Sequence, residues 1–168
     1  FDRDFETISP YYYSVVFDET ETTVEFAPTN KAAFFAFKSA QTEDLVLYFE
    51  NQGSSQMKVK GTQNLVGYTT FEGVKQYVNI FFNHPIKESG YITDELQLKK
   101  SKSAKGDAVN FYVVFDGSVQ VLMNYGLSWI DDKQAGRNLL QENPGWNFDK
   151  TVKDGINAWN KELGKIEV

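Results

Sequence analysis

The sequence predicts a mainly β fold, an antiparallel β-sandwich followed by two C-terminal helices. Three observations lead there. Aromatic residues make up 15% of the chain, with Phe 14 and Tyr 9, and most fall in short segments rich in β-branched residues, a composition that favours sheet. Up to Gly126 these segments recur between turn residues, the pattern of an all-β sandwich. After Gly126 the apolar period changes from two to about 3.6.

In chain order the strands are expected near Tyr11–Phe17, Thr22–Ala27, Lys31–Lys38, Asp44–Asn51, Gln56–Lys60, Asn64–Thr70, Gln76–Asn83, Tyr91–Leu98, Val109–Phe115 and Ser118–Gly126. The strongest hairpin signal is Asp116-Gly117, since both central residues of a type I′ turn need positive φ. Counting outward from it pairs Val114 with Val119, Tyr112 with Val121 and Asn110 with Met123. Several strands are apolar on both faces: Ala33, Phe35 and Phe37 alternate with Ala32, Phe34 and Ala36, and Val78, Ile80 and Phe82 with Tyr77, Asn79 and Phe81. A second apolar face needs a cover. That cover is either another domain or the chain's own helices and loops. Leu98–Ala108, with Lys99, Lys100, Lys102 and Lys105, reads as a solvated edge connection.

Asp131 followed by Gln134 is a capping-box pattern that opens a short helix ending at Asn143-Pro144-Gly145. A second helix spans Phe148 to Leu163. Phe148, Val152, Ile156, Trp159 and Leu163 form one stripe, which places Trp159 against the sandwich, and Gly164 suits the position just past the end. Lys165–Val168 reads as extended. The chain starts at Phe1 without an initiator Met, so an excised piece or a processed protein is expected. Residues 1–127 are taken as the sandwich and 128–168 as a helical linker packed on it, within one structural domain.

Charge and composition exclude several functions. The net charge is -6 with a pI near 4.8, the opposite of the basic surface that phosphates require, so no nucleic-acid partner is expected. No apolar run reaches the ~18 residues of a membrane span. Cys is absent, which removes disulfides and thiolate chemistry. No phosphate-binding loop occurs. The single His, His84, lies in a strand-end turn before Pro85 and has no local carboxylate or nucleophile to work with. Asp2-Arg3-Asp4 and Asp18-Glu19-Thr20-Glu21 lack the pattern of a calcium loop. Asp94-Glu95 alternates across a strand and Asp131-Asp132 opens a helix, so neither pair faces one substrate. Tyr11-Tyr12-Tyr13 is a possible sugar platform, but strand alternation turns Tyr12 away from the other two. Chemistry alone points to no catalytic residue and no metal site.

The residues do carry a resemblance. Phe1, Glu6 and Ser9-Pro10-Tyr11-Tyr12-Tyr13-Ser14-Val15 resemble the F-x-H-x-x-E and P-G-Y-Y-x-V segment of the N-terminal domain of glycoside hydrolase family 92, the bacterial α-mannosidases. Val24-Glu25-Phe26-Ala27-Pro28-Thr29-Asn30-Lys31-Ala32-Ala33-Phe34 is similar to a pair of that family's strands, as is Tyr77 to Pro85. The closing segment is the most specific: Gly126-Leu127-Ser128-Trp129-Ile130, Ala135, Asn138-Leu139, Glu142, Gly145-Trp146, Phe148-Asp149, Ala158-Trp159-Asn160, Leu163 and Ile166-Glu167-Val168 keep the family's order and similar spacing. Arg3 stands where the family has His, and Tyr11 where it has Gly.

The resemblance implies a supersandwich-like N-terminal domain that braces an (α/α)6 catalytic barrel and shapes the rim of a sugar cleft. The parent would be a calcium-dependent, inverting, exo-acting α-mannosidase acting on mannose-containing glycans, exported to the periplasm or cell surface of a bacterium. Its catalytic and Ca2+-binding residues would lie in the barrel, so this chain alone would be inactive and hold no cofactor. Arg3, Glu6, Tyr12 and Tyr13 are its implied cleft-rim or domain-interface candidates, with Phe1, Phe5 and Tyr11 beside them at the rim of an apolar patch. The other reading is a free-standing carbohydrate-binding or surface-interaction sandwich.

Overall fold

A computed structural model describes residues 5–93, 95–117 and 119–165. Phe1, Arg3, Asp94, Ser118 and the tail after Lys165 lie outside the described residues. The fold is antiparallel and mainly β, as expected. The strands are β1 (Thr7–Ser9), β2 (Tyr12–Phe17), β3 (Thr22–Pro28), β4 (Ala32–Ser39), β5 (Leu45–Phe49), β6 (Ser54–Lys60), β7 (Asn64–Phe71), β8 (Val74–Phe82), β9 (Glu88–Ile92), β10 (Leu98–Lys100), β11 (Ser103–Asp107), β12 (Asn110–Phe115) and β13 (Val121–Ser128), followed by helices α1 (Asp132–Glu142) and α2 (Phe148–Leu163). A nine-stranded sheet runs β1-β2-β3-β4-β13-β8-β7-β6-β11, and a four-stranded sheet runs β10-β9-β12-β5. Strand β13 lies between β4 and β8, so it joins the two halves of the large sheet.

The core fills the space between the sheets. Phe111, Val113 and Phe115 of the small sheet meet Leu65, Ile80, Phe82, Val121 and Met123 of the large one. The Phe82 and Phe115 rings pack with centroids 4.8 Å apart and planes tilted by 52°. The second apolar face of the large sheet is covered by the chain's own helices, with α1 over β13 and β8 and α2 over β3 and β4. Phe34, 1% exposed, makes edge-to-face contacts with Phe148 at 5.4 Å and Trp146 at 6.1 Å. Gly126 lets α1 approach, since a Cβ there would sit 2.3 Å from the Ala135 carbonyl. Side-chain amides then fasten the helix: Asn79 Nδ2 donates to the Asp132 carbonyl at 3.0 Å and Asn138 Nδ2 to the Leu127 carbonyl at 2.7 Å.

The expected helix limits hold. Asp131 caps α1 by accepting from the Gln134 amide at 2.6 Å, and Asn147 caps α2 by accepting from the Lys150 amide at 3.0 Å. Gly164 keeps a right-handed conformation with φ -68, so a left-handed glycine cap is not what ends α2.

Four expectations are corrected. The Asp116-Gly117 hairpin does not form: β12 joins the small sheet and β13 the large one. Val114 pairs with Val46 and Glu88, Tyr112 with Tyr48 and Gly90, Asn110 with Ile92, and Met123 with Phe35 and Phe82. Gly117 is needed for close approach, because a Cβ there would sit 1.5 Å from the Glu43 carbonyl oxygen as the chain crosses between layers. A tight two-residue turn with both central residues at positive φ is found instead at Glu72-Gly73, with φ 50 and φ 80, between the paired Phe71 and Val74. Tyr91–Leu98 is two strands, because the chain reverses after Thr93 through Leu96 at φ 60. The Lys-rich stretch holds strands β10 and β11, which form one edge of each sheet. Finally, Trp159 is 43% exposed and no residue of α2 is fully buried.

Two predictions test this packing. Phe34→Ala removes a buried ring from the helix-to-sheet layer and is expected to cost about 3–5 kcal/mol, whereas Trp159→Ala should cost less than about 2 kcal/mol because much of its ring is already in water. Chemical denaturation midpoints measure both. Burial raises the Tyr125 hydroxyl from 10.0 to about 12. The unfolded phenol ionises first, so stability should hold below pH 10 and fall as pH rises from there through the folded value. Tyr125→Phe should flatten that alkaline loss in a pH series of denaturation curves.

Candidate functional site

The N-terminal hairpin is the part of the molecule that the sequence singled out. Ser9, Pro10, Tyr11 and Tyr12 make its turn, closed by Ser9 pairing with Tyr12 and by the Ser9 hydroxyl donating to the Tyr12 carbonyl at 2.9 Å. Because Tyr11 sits in the turn, strict strand alternation does not apply to it. Tyr11 lies under α2, where the Cβ position of Gly155 is 2.8 Å from Tyr11 Cβ. Tyr12 points to the same helix layer, with its ring edge-to-face with Phe148 at 6.3 Å and its hydroxyl donating to Glu25 at 2.7 Å. Tyr13, one residue on, projects from the opposite face beside Phe26, and its hydroxyl donates to Glu6 at 2.7 Å.

The candidate residues therefore form two separate pairs, Tyr12 with Glu25 and Tyr13 with Glu6, on opposite faces of the sheet. Arg3 lies outside the described residues. Burial and the Glu25 hydrogen bond raise the Tyr12 pKa, and the hydrogen bond to Glu6 raises that of Tyr13. Both phenols are held protonated as donors, so neither is poised as a base. Phe5 is 61% exposed while Tyr11, Tyr12 and Tyr13 are half-buried.

The helix pair supplies a second surface. Glu142, at the end of α1, accepts from the Thr29 hydroxyl at 2.5 Å and the Lys31 amide at 2.8 Å, fixing the β3–β4 turn to the helix. Pro10, Pro28, Glu142, Gly155 and Trp159 border a depression of about 490 Å³ between that turn and α2. Trp129, Ile130, Leu140, Trp159 and Leu163 of the helical segment are exposed. The Glu142 clamp was not found from the sequence, because its partners are 113 and 111 residues away and no local pattern marks them.

Several other carboxylates have structural partners. The Lys100 ammonium holds Glu88 below its ordinary pKa, and the Lys60 ammonium does the same for Asp132 at 2.8 Å. A glycosidic general acid needs the opposite shift. Asp131 caps α1 while Asp132 pairs with Lys60, so this adjacent pair is divided between two tasks. His84 is half-buried in the turn after β8. Among the described residues, no group of three or more His, Cys, Asp or Glu could hold a metal ion. The arrangement is suited to holding surfaces together.

The family model described as the glycosyl hydrolase family 92 N-terminal domain matches residues 1–128. The fold is similar to that of a family GH92 inverting mannosidase from Bacteroides thetaiotaomicron, with TM-score 0.91 and 22% identity, over 99% of this chain and 24% of that one. It is also similar to a family GH92 α-mannosidase from the same organism, with TM-score 0.85 and 20% identity, over 98% of this chain and 25% of that one. An uncharacterized secreted glycosidase from Arthroderma benhamiae is 35% identical over 65 residues, which is 38% of this chain and 8% of that protein. The chain thus spans about a quarter of the two solved structures and a smaller share of the secreted relative.

The contact between Tyr11 and Gly155 yields a double-mutant test. Gly155→Ala alone should lose stability by about 1 kcal/mol or more, because the new methyl group meets Tyr11 Cβ and overpacks the layer. Combined with Tyr11→Gly, the same change should be tolerated and recover the helix propensity of alanine. Denaturation of the two single variants and the double variant measures the coupling.

Proposed function

Because this chain belongs to the glycosyl hydrolase family 92 N-terminal domain family, we propose that it is the non-catalytic N-terminal domain of an exo-acting α-mannosidase. In this reading residues 1–127 are the sandwich, and residues 128–168 are the linker that leads to an (α/α)6 catalytic barrel. The domain braces the barrel and shapes the rim of its sugar cleft. The observation that carries the reading is the α2 stripe. Its apolar residues follow helical spacing, yet Trp159 and Leu163 remain 43% and 61% exposed after the sandwich has taken its share. A barrel packed against α2 would bury them. Arg3, Glu6, Tyr12 and Tyr13 serve as interface or cleft-rim residues in this proposal.

The parent enzyme inverts configuration, requires Ca2+ and acts on mannose-containing glycans. The described residues do not fit a calcium site, since no group of three or more potential ligands occurs among them. In this reading the ion is held by the barrel. Export to the periplasm or surface of a glycan-degrading bacterium is supported by the likeness to a secreted glycosidase and to enzymes from Bacteroides. Among the described residues, no helix is long and apolar enough to cross a membrane.

Two samples test the proposal, the 168-residue chain alone and the parent protein. Mannose release from α-mannosides should occur with the parent, disappear on chelation and return with Ca2+. The chain alone should release none, because glycoside hydrolysis needs two carboxylates placed across a cleft. Mannose release by the chain alone, or an inert parent, would overturn the reading.

A further inference from the structure

The edges of the two sheets are not alike. Strand β1 is three residues long, β11 carries Lys105, and β10 carries Lys99 and Lys100. Short length and lysines are the usual means of keeping an open edge from pairing. Strand β5, Leu45-Val46-Leu47-Tyr48-Phe49, has neither charge nor proline, and among the described residues it pairs on one side only, with β12. Val46 and Tyr48 are 55% and 48% exposed.

The large sheet continues past this edge. Val24, Phe35 and Phe37 floor an apolar groove of about 650 Å³ that β5 walls. Its surroundings are acidic: Asp18, Glu19 and Glu21 follow β2, Glu43 and Asp44 precede β5, and Glu50 follows it. Lys87 is paired with Asp44. An open strand edge beside an apolar floor matches a strand-adding segment, whose main chain bonds to the edge while alternate side chains enter the groove.

We infer that an extended segment of the parent polypeptide, from outside these 168 residues, adds to β5 as a fifth strand of the small sheet. It carries apolar residues towards the groove and Lys or Arg at its ends. A second copy of the chain fits poorly. Antiparallel pairing of two β5 strands about Leu47 would set Asp44 of each opposite Glu50 of the other, and like charges directly opposite are unfavourable. The inference rests on the reading of this chain as part of a longer enzyme, and the GH92 structure that it resembles is about four times its length.

The test uses the intact parent protein. Hydrogen exchange should show the Leu45–Phe49 amides exchanging at least ~100-fold more slowly than those of the open edge Leu98–Lys100. Carbodiimide, which joins carboxylates directly to amines, should link Glu43 or Glu50 to a lysine outside these residues in a species of monomer mass. Exchange at β5 as fast as at β10 would overturn the inference. So would links found only at twice the monomer mass, which would identify a second copy, or links to a different protein. Assaying α-mannoside hydrolysis on the same sample separates the two readings. Activity with fast β5 exchange sinks the strand addition alone, whereas slow exchange with the internal link in an inactive protein sinks the mannosidase reading and leaves the strand addition standing.

Discussion

Strand β4 presents Phe35 and Phe37 to one side of the large sheet and Phe34 and Ala36 to the other, and neither set can be left in water. Each fully buried phenylalanine contributes about 1.5–3 kcal/mol relative to exposure, so the sheet is stable only when covered twice. The four-stranded sheet supplies most of one cover, leaving the groove beside β5 open, and the two helices supply the other. Much of the remaining architecture follows from this demand. Gly126 admits α1 closely enough to seal β13, Asn79 and Asn138 satisfy backbone carbonyls under that seal, and Glu142 locks the β3–β4 turn against the helix end. The helices therefore belong to the packing of the sandwich as well as to any link beyond it.

This dependence explains the chemistry of the surface. Glu6, Glu25, Glu88, Asp132 and Glu142 are bonded to tyrosines, lysines, a backbone amide or a turn. Paired in this way they serve orientation. The protein has spent its polar groups on fixing layers, which suits a domain whose value lies in presenting surfaces at fixed angles.

The elements that could be read from the sequence were those set by local rules. Asp131 marks its helix through side-chain capping, the second helix follows from its apolar stripe, and many strand positions follow from alternation and turn residues. What escaped was non-local. Asp116-Gly117 satisfies the chemistry of a tight turn, but the same glycine also permits passage against Glu43, and only the arrangement of layers decides between these uses. The exposure of Trp159 has the same origin, because helical spacing defines a stripe without revealing how much of it the neighbouring layer can reach. The candidate tyrosines were separated for a similar reason: the β1–β2 turn takes Tyr11 out of alternation, and the sheet then divides Tyr12 from Tyr13.

The central position of β13 bears on how the molecule is made. Of the strands in the large sheet it is the last in sequence, yet it alone connects the β1–β4 half to the β8-β7-β6-β11 half. During synthesis the two halves emerge first, each with an open edge at β4 or β8, and they cannot be joined until residue 128 has cleared the ribosome. Over that interval the nascent chain holds two open strand edges, the state in which chains are prone to wrong pairing. The arrival of one strand thus completes the sheet, and α1, which follows within four residues, closes over the seam almost as soon as it forms.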